Sequence, residues 1–252
     1  MEEKLNFLSR LKISIFKVKQ YSLFLKEGLN KSMVYILMLS IIVGFILGVS
    51  QFSMLTTLEK STKVLLEQED FKFEVNDGIL DFKDSPYKQE EGPSVVIIDS
   101  NKTLADSESF RSITIHKDMS SVFLKDGIVA RLNGTEYKIK YSDTPLLDNN
   151  INNEVAINAL NKAKPIKYVT VICMILITYL AALFNGLLIS LAGIMSNKMN
   201  GSKLKYKDIF IISLYSLTLP MIVKLIIPIG SLTIIISAIY VVIVISNISK
   251  EA

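Results

Sequence analysis

Cysteine is nearly absent. Cys173 is the only one, so no intrachain disulfide forms, and any part of the chain facing an oxidising space must be stable through its core alone. Histidine is as scarce: His116 stands alone, and its neighbours supply neither a nucleophile nor a metal-ligand set. There is no Gly-rich phosphate loop, no His-Glu-x-x-His helix, no cysteine pair and no Asp-x-Asp-x-Asp-Gly loop. Asn76-Asp77-Gly78 shares part of the last pattern but is better explained as a hairpin turn, and Glu90-Glu91 and Asp77/Asp81 read as solvated carboxylates. No catalytic, cofactor-binding or metal-binding residue is therefore assigned, no cofactor is expected, and the chain reads as a protein that is not an enzyme.

Charge is also missing, but only locally. Residues 33–54 form 22 positions without a charge, and about 20 apolar residues suffice to cross the ~30 Å hydrocarbon core as a helix. Similar runs recur at 168–195 and across 209–247, so the 50% apolar content averages two kinds of segment. The last run is too long for one span. Pro228 and Gly230 near its middle divide it into spans of 209–227 and 231–247, with a shallow hairpin that enters and returns as the competing reading. Region 55–167 is as polar as a soluble protein. The implied fold class is an α-helical membrane protein: four transmembrane helices, with a β-rich (α+β) extracytoplasmic domain inserted between the first and second.

The formal charge of +4 hides an asymmetry that sets orientation. Residues 1–32 hold seven basic groups against three acidic ones, and loop 196–208 holds Lys198, Lys203, Lys205 and Lys207 against Asp208 alone, while 55–167 carries 15 Lys and Arg against 19 Asp and Glu. Short Lys/Arg-rich flanks stay in the cytoplasm. Both termini and the 196–208 loop are thus expected inside a cell membrane and 55–167 outside. The basic leader points to anionic lipid and not to nucleic acid. Within it Leu8, Leu11, Ile15 and Val18 fall at helical spacing with Arg10 and Lys17 on the other side, the pattern of an amphipathic helix in the headgroup plane or of a plain basic tail.

Inside the spans the small residues are spaced for packing. Ser40, Gly44 and Gly48 repeat every four positions, Ala182, Gly186 and Ser190 do the same in the second run, and the two series are expected to form one seam between these helices. Two intramembrane polar residues are candidates for function. Asn185 reads first as an interhelical hydrogen-bonding group. Lys224, the one charge in the apolar runs, reads as a side chain that snorkels to the outer interface near the Pro228 turn, with a partnered charge held at depth as the alternative.

Past the first span, Leu55, Leu58, Thr62 and Leu65 continue at helical period as a stalk, and Ala156, Leu160 and Ala163 form an approach helix. Between them the period becomes two. Strand pairs 71–75/79–82, 122–124/128–130 and 130–132/135 onward flank the turns Asn76-Asp77-Gly78, Lys125-Asp126-Gly127 and Asn133-Gly134, with Tyr137, Ile139 and Tyr141 expected on one face. Residues 95–99 read as a strand buried on both faces and Ile113/Ile115 as part of another strand. Strand and turn signals agree across 70–145, which reads as a folding unit by itself.

The order of parts, with the leader motif Phe16-Lys17-Val18-Lys19-Gln20-Tyr21 and the outer motif Val96-Ile97-Ile98-Asp99-Ser100, resembles a family of uncharacterised multi-pass membrane proteins of Gram-positive bacteria. Some members of that Yip-like group are labelled maltodextrin-utilization proteins. The resemblance implies a cell-membrane protein accessory to sugar uptake, and carries over no site residues; Ser100 stands where members more often have Thr. The leading functional reading is a non-enzymatic accessory or sensor protein whose outer domain binds an envelope component or a membrane partner. A small transporter or transporter subunit is second and a membrane-bound hydrolase third. Four spans and no paired intramembrane charges stand against the transporter.

Overall fold

The computed structural model describes residues 5–132, 134–144, 150–227, 230 and 232–251; Pro228 and Asn133, which the sequence marks as turn residues, lie outside them. Along the chain come α1 (Phe7–Phe16), a 3-10 turn (Val18–Tyr21), α2 (Ser22–Glu27) and α3 (Leu29–Leu66). Strands β1 (Phe73–Asn76), β2 (Ile79–Phe82), β3 (Tyr87–Glu91) and β4 (Ser94–Asp99) follow, then a 3-10 segment (Leu104–Phe110) with α4 (Arg111–Thr114). Next are β5 (Met119–Leu124), β6 (Gly127–Leu132), β7 (Thr135–Lys140), β8 (Ile151–Asn152) and α5 (Asn153–Ala163). The chain ends with α6 (Ile166–Met199), α7 (Tyr206–Ser216), α8 (Thr218–Val223) and α9 (Leu232–Glu251). It divides into two compact units, residues 1–55 with 166–252, and residues 56–165.

Among the described residues four helices are long and apolar enough to cross a membrane: Leu29–Leu66, Ile166–Met199, Tyr206–Val223 and Leu232–Lys250. The third has the lowest mean hydropathy, 1.4 against 2.3 to 2.5, yet is the most buried. Its environment explains this. Ile209, Ile211, Ile212, Ser213, Leu214, Tyr215 and Ser216 are all buried, so α7 is packed against protein over most of its surface. Its hydroxyls return to their own helix: Ser213 donates to the Ile209 carbonyl at 2.9 Å and Ser216 to that of Ile212 at 2.8 Å.

The leader is part of this bundle. Asn6 caps α1 by accepting from the Ser9 N–H at 2.8 Å, and Gly28, at φ +82°, ends α2 in a conformation that favours glycine. The segment so folded covers α7: Phe24 stacks on Tyr215 at 3.6 Å between ring centroids, Tyr35 stacks on the same ring at 4.7 Å, and Tyr240 donates to the Ile15 carbonyl. Arg10, expected to project away, instead makes a bidentate pair with Glu27 at 2.8 and 2.9 Å, both side chains nearly buried. The correction has a local cause, since the turn before α2 folds Glu27 back onto α1.

The expected seam divides into two. A Cβ on Gly44 would lie 2.6 Å from the Ile175 Cα and one on Gly48 2.9 Å from the Val171 Cα, so α3 does close on α6 through small residues. Gly186 instead faces Phe210 and Leu214, and Ser190 bonds Ser213 at 3.3 Å, so that series packs on α7. Ser40 and Ala182 are buried in the same bundle. Helix α6 thus meets α3 along Val171 and Ile175 and α7 along its own small residues, and spacing alone does not say which partner each small-residue series meets.

In the 56–165 unit, one sheet has the order β2-β1-β8 and the other β3-β4-β5-β6-β7. The β1–β2 turn places both Asp77 (φ +50°) and Gly78 (φ +70°) in the left-handed region, as a tight two-residue hairpin requires. Within the larger sheet β4 and β5 run parallel. A parallel pair needs a crossover, and here it is the 3-10 segment with α4, so Ile113 and Ile115 are not in a strand. The overlooked signal is the Thr103/Asp106 capping box, in which the Asp106 carboxylate accepts from both the Thr103 N–H and hydroxyl at 2.9 Å. Tyr141 also departs from its expected face. It is buried, whereas Tyr137 and Ile139 on edge strand β7 are exposed.

Two apolar clusters build this unit. One centres on Val95, Ile97, Val122 and Leu124. The other joins Phe71, Val75, Leu80, Phe82, Ile98 and Tyr141, and takes in Leu65 and Leu66 from α3 and Ala156, Ile157 and Leu160 from α5. Asn153 ties these parts together: its amide donates to the carbonyls of Leu66 (2.8 Å) and Phe71 (2.5 Å) and accepts from the Phe73 N–H (3.0 Å). Residues 70–145 therefore omit β8 and both helical contributions to a core, which the strand signals did not reveal.

Candidate functional site

In the 56–165 unit the polar side chains of most interest are spent on structure. The buried Asp99, at the end of β4, accepts from the Asn101 N–H (3.1 Å) and the Ser85 hydroxyl (3.3 Å), while that hydroxyl accepts from the Ser100 N–H (2.9 Å) and the Asn101 amide (3.1 Å). The Ile-Asp-Ser motif is thus a clasp fastening β4 to the 82–85 loop. Glu90 lies between Lys117 and Lys88, whose hydrogen bonds and charge hold its carboxyl at about 2. The Arg131 guanidinium beside Glu136 lowers that carboxyl below the usual range as well. His116 is exposed. Among the described residues no group of three His, Cys, Asp or Glu is placed to hold a metal ion.

Two open grooves lie on the same unit. One, of about 520 Å³, is lined by Lys60 and Ser61 of α3 and Gln68 just past its end, facing Tyr87 and Gln89 of β3. The other, of about 480 Å³, is bordered by Glu67, Glu69, Lys72, Glu74, Asp81 and Lys83. The first combines an aromatic ring with amide, hydroxyl and ammonium groups, a lining suited to a polar ligand held by hydrogen bonds.

The helical unit has its own cavity, of about 270 Å³, and there the two intramembrane candidates meet. Asn185 and Lys224 line it together with Thr178 of α6 and Gly230 and Thr233 at the start of α9; Leu217 and Met221 supply apolar wall. Helix α6 places Thr178 and Asn185 seven residues apart, two turns on one face. Lys224 follows directly after α8 and is half-buried. Among the described residues its ammonium has no acidic partner, and Asn185 bonds no other helix. The sequence named both residues but, treating each on its own helix, had no means to bring them together.

A chain of four long apolar helices and a two-sheet β-rich unit is a membrane protein of the α+β kind. It belongs to the family described as protein of unknown function (DUF1189), whose pattern it matches over residues 8–248. No curated protein and no solved structure matches it.

Proposed function

We propose that the chain is a non-enzymatic multi-pass accessory or sensor protein of the cell membrane, whose 56–165 unit faces outward and binds an envelope component or a partner. The observation that carries this reading is the groove between Lys60, Ser61 and Gln68 on one wall and Tyr87 and Gln89 on the other, set on a unit with its own two apolar clusters. The acidic balance of that region and the Lys-rich flanks of the first two spans support the orientation, with both termini in the cytoplasm. The sequence resemblance to proteins labelled for maltodextrin utilization makes a maltodextrin the first ligand to test. Titration of the 56–165 unit with maltodextrins is expected to give saturable binding that Tyr87→Ala and Gln89→Ala weaken. Topology is checked by fusing a reporter near Gly127; activity only in the cytoplasm would overturn the reading.

A second reading, a small transporter or transporter subunit, is supported by the cavity at Asn185 and Lys224. An ionisable group within the apolar helices that faces a cavity is by default functional.

A further inference from the structure

Two measures fix the depth of the helical unit's cavity. Phe52 and Tyr168 pair at 5.3 Å between ring centroids with the Lys167 ammonium 5.6 Å from the Phe52 ring, the aromatic-and-lysine signature of a membrane interface. Thr178 lies ten residues further along α6, roughly 15 Å at the helical rise, which is about half of the ~30 Å hydrocarbon core. Gly230 has no side chain to extend its reach, yet it lines the same cavity as Thr178. Lys224 lines this same space, and so stands below the Tyr168 level.

The lining is one-sided in charge. Lys224 brings a cation, Asn185 an amide, and Thr178 and Thr233 a hydroxyl each, and among the described residues no acidic side chain borders the space. None of these four side chains has a hydrogen-bond partner among the described residues. An ammonium among apolar helices is costly unless something answers it. The answer fitting the donors is a group with one negative charge and several acceptor oxygens. A carboxylate supplies two oxygens in one plane, whereas a phosphate group sets four oxygens in a tetrahedral array, two of them ester-linked when a lipid carries it. About 270 Å³ suits a headgroup-sized ligand and lies just under the usual span of small-molecule sites.

We propose that this cavity binds a phosphate group, held by Lys224 and Asn185 and oriented by Thr178 and Thr233. The phosphate is carried by a lipid headgroup or arrives free, and the chemistry of the site is the same for both. The proposal is independent of the groove on the 56–165 unit and survives the failure of that reading.

The test uses the full-length protein, delipidated in detergent, and three probes: short-chain phosphatidylglycerol, inorganic phosphate and decanoate. Native mass spectrometry and thermal shift are read for each. Saturable binding of phosphatidylglycerol, weakened at least about tenfold by Lys224→Gln and largely kept by Lys224→Arg, supports the site with lipid as the source. The same pattern with inorganic phosphate supports it with the free ion as the source. Binding of neither phosphate probe, equal binding by wild type and Lys224→Gln, or binding of decanoate alone overturns it. Melting without ligand shows whether each variant is folded. If Lys224→Gln is not, Asn185→Ala and Thr233→Ala carry the same comparison.

Discussion

The two units bury polar groups in opposite ways. In the helical unit Ser14, Ser32, Ser40, Ser190, Ser196, Ser213, Ser216, Thr178 and Thr218 are buried, while Ile172, Leu176, Phe184 and Leu191 of α6 are exposed. In the 56–165 unit the buried set is dominated by Val, Ile, Leu and Phe, and its buried charged groups Asp99 and Arg131 are engaged in the Ser85 clasp and the Glu136 ion pair. Lipid tails are as apolar as leucine, so burying leucine between helices gains nothing from leaving water; close approach and hydrogen bonds hold the bundle instead. A serine whose hydroxyl returns to its own helix costs little there and lets helices meet. In the β-rich unit removal of apolar surface from water supplies the stability, at roughly 25 cal/mol per Å².

The comparison breaks first on the boundaries of the β-rich unit. Residues 56–165 are expected to melt cooperatively, and residues 70–145, deprived of β8, α5 and the last turns of α3, to give a circular dichroism spectrum without a cooperative transition. A stable 70–145 fragment would show that the helical contributions to its core are ornamental.

Next in size is the leader's ion pair. Arg10→Ala leaves Glu27 nearly buried without its partner, a loss of about 3–5 kcal/mol where a buried pair is broken. The full-length protein in detergent should melt correspondingly lower, with the 56–165 unit unaffected. Insensitivity would mean that the leader is not held on α7. In the other unit Leu124→Ala, at a fully buried position, is expected to cost about 2–5 kcal/mol by chemical denaturation.

Close approach is tested at Gly44. The nearest atoms to an added Cβ are backbone, the Ile175 Cα and the Met174 carbonyl oxygen, which do not yield as a side chain would. Gly44→Ala should cost about 1–3 kcal/mol, against less than about 1 kcal/mol for Ser213→Ala, whose hydroxyl mainly serves its own helix. The reverse order would mean that hydrogen bonds and not contact hold the bundle.

The smallest effect is one of pH. Arg131 lowers the folded-state pKa of Glu136, so the pair's stabilisation is present above the ordinary glutamate value and is lost as pH falls through the folded value. Glu90 behaves likewise, its stabilisation fading towards pH 2; its pair is exposed, whereas the Arg131–Glu136 pair is part-buried. Thermal melts of the 56–165 unit from pH 6 to 2.5 should show a decline that Glu136→Gln makes shallower, by about 1 kcal/mol or less.

What the sequence by itself determined is whatever follows from composition and short-range period. Uncharged runs marked four apolar helices because length and hydropathy need no partner to be read. Asn76-Asp77-Gly78 marked a hairpin because positive φ at two successive positions is a local demand, and Gly44 and Gly48 marked a close helix contact because only small residues permit one. Tertiary structure decided the rest, each time because the answer lay with a residue far along the chain. The parallel pairing of β4 with β5 turned Ile113 and Ile115 from strand to crossover, and Glu27 drew Arg10 inward. Lys224 and Asn185 are 39 positions apart, one just past α8 and the other on α6, each with a sound local explanation as anchor or as packing group. Only the packing of α8 and the start of α9 against α6 puts an ammonium, an amide and two hydroxyls around one space, and that is set by how helices stack and not by any residue's own preference.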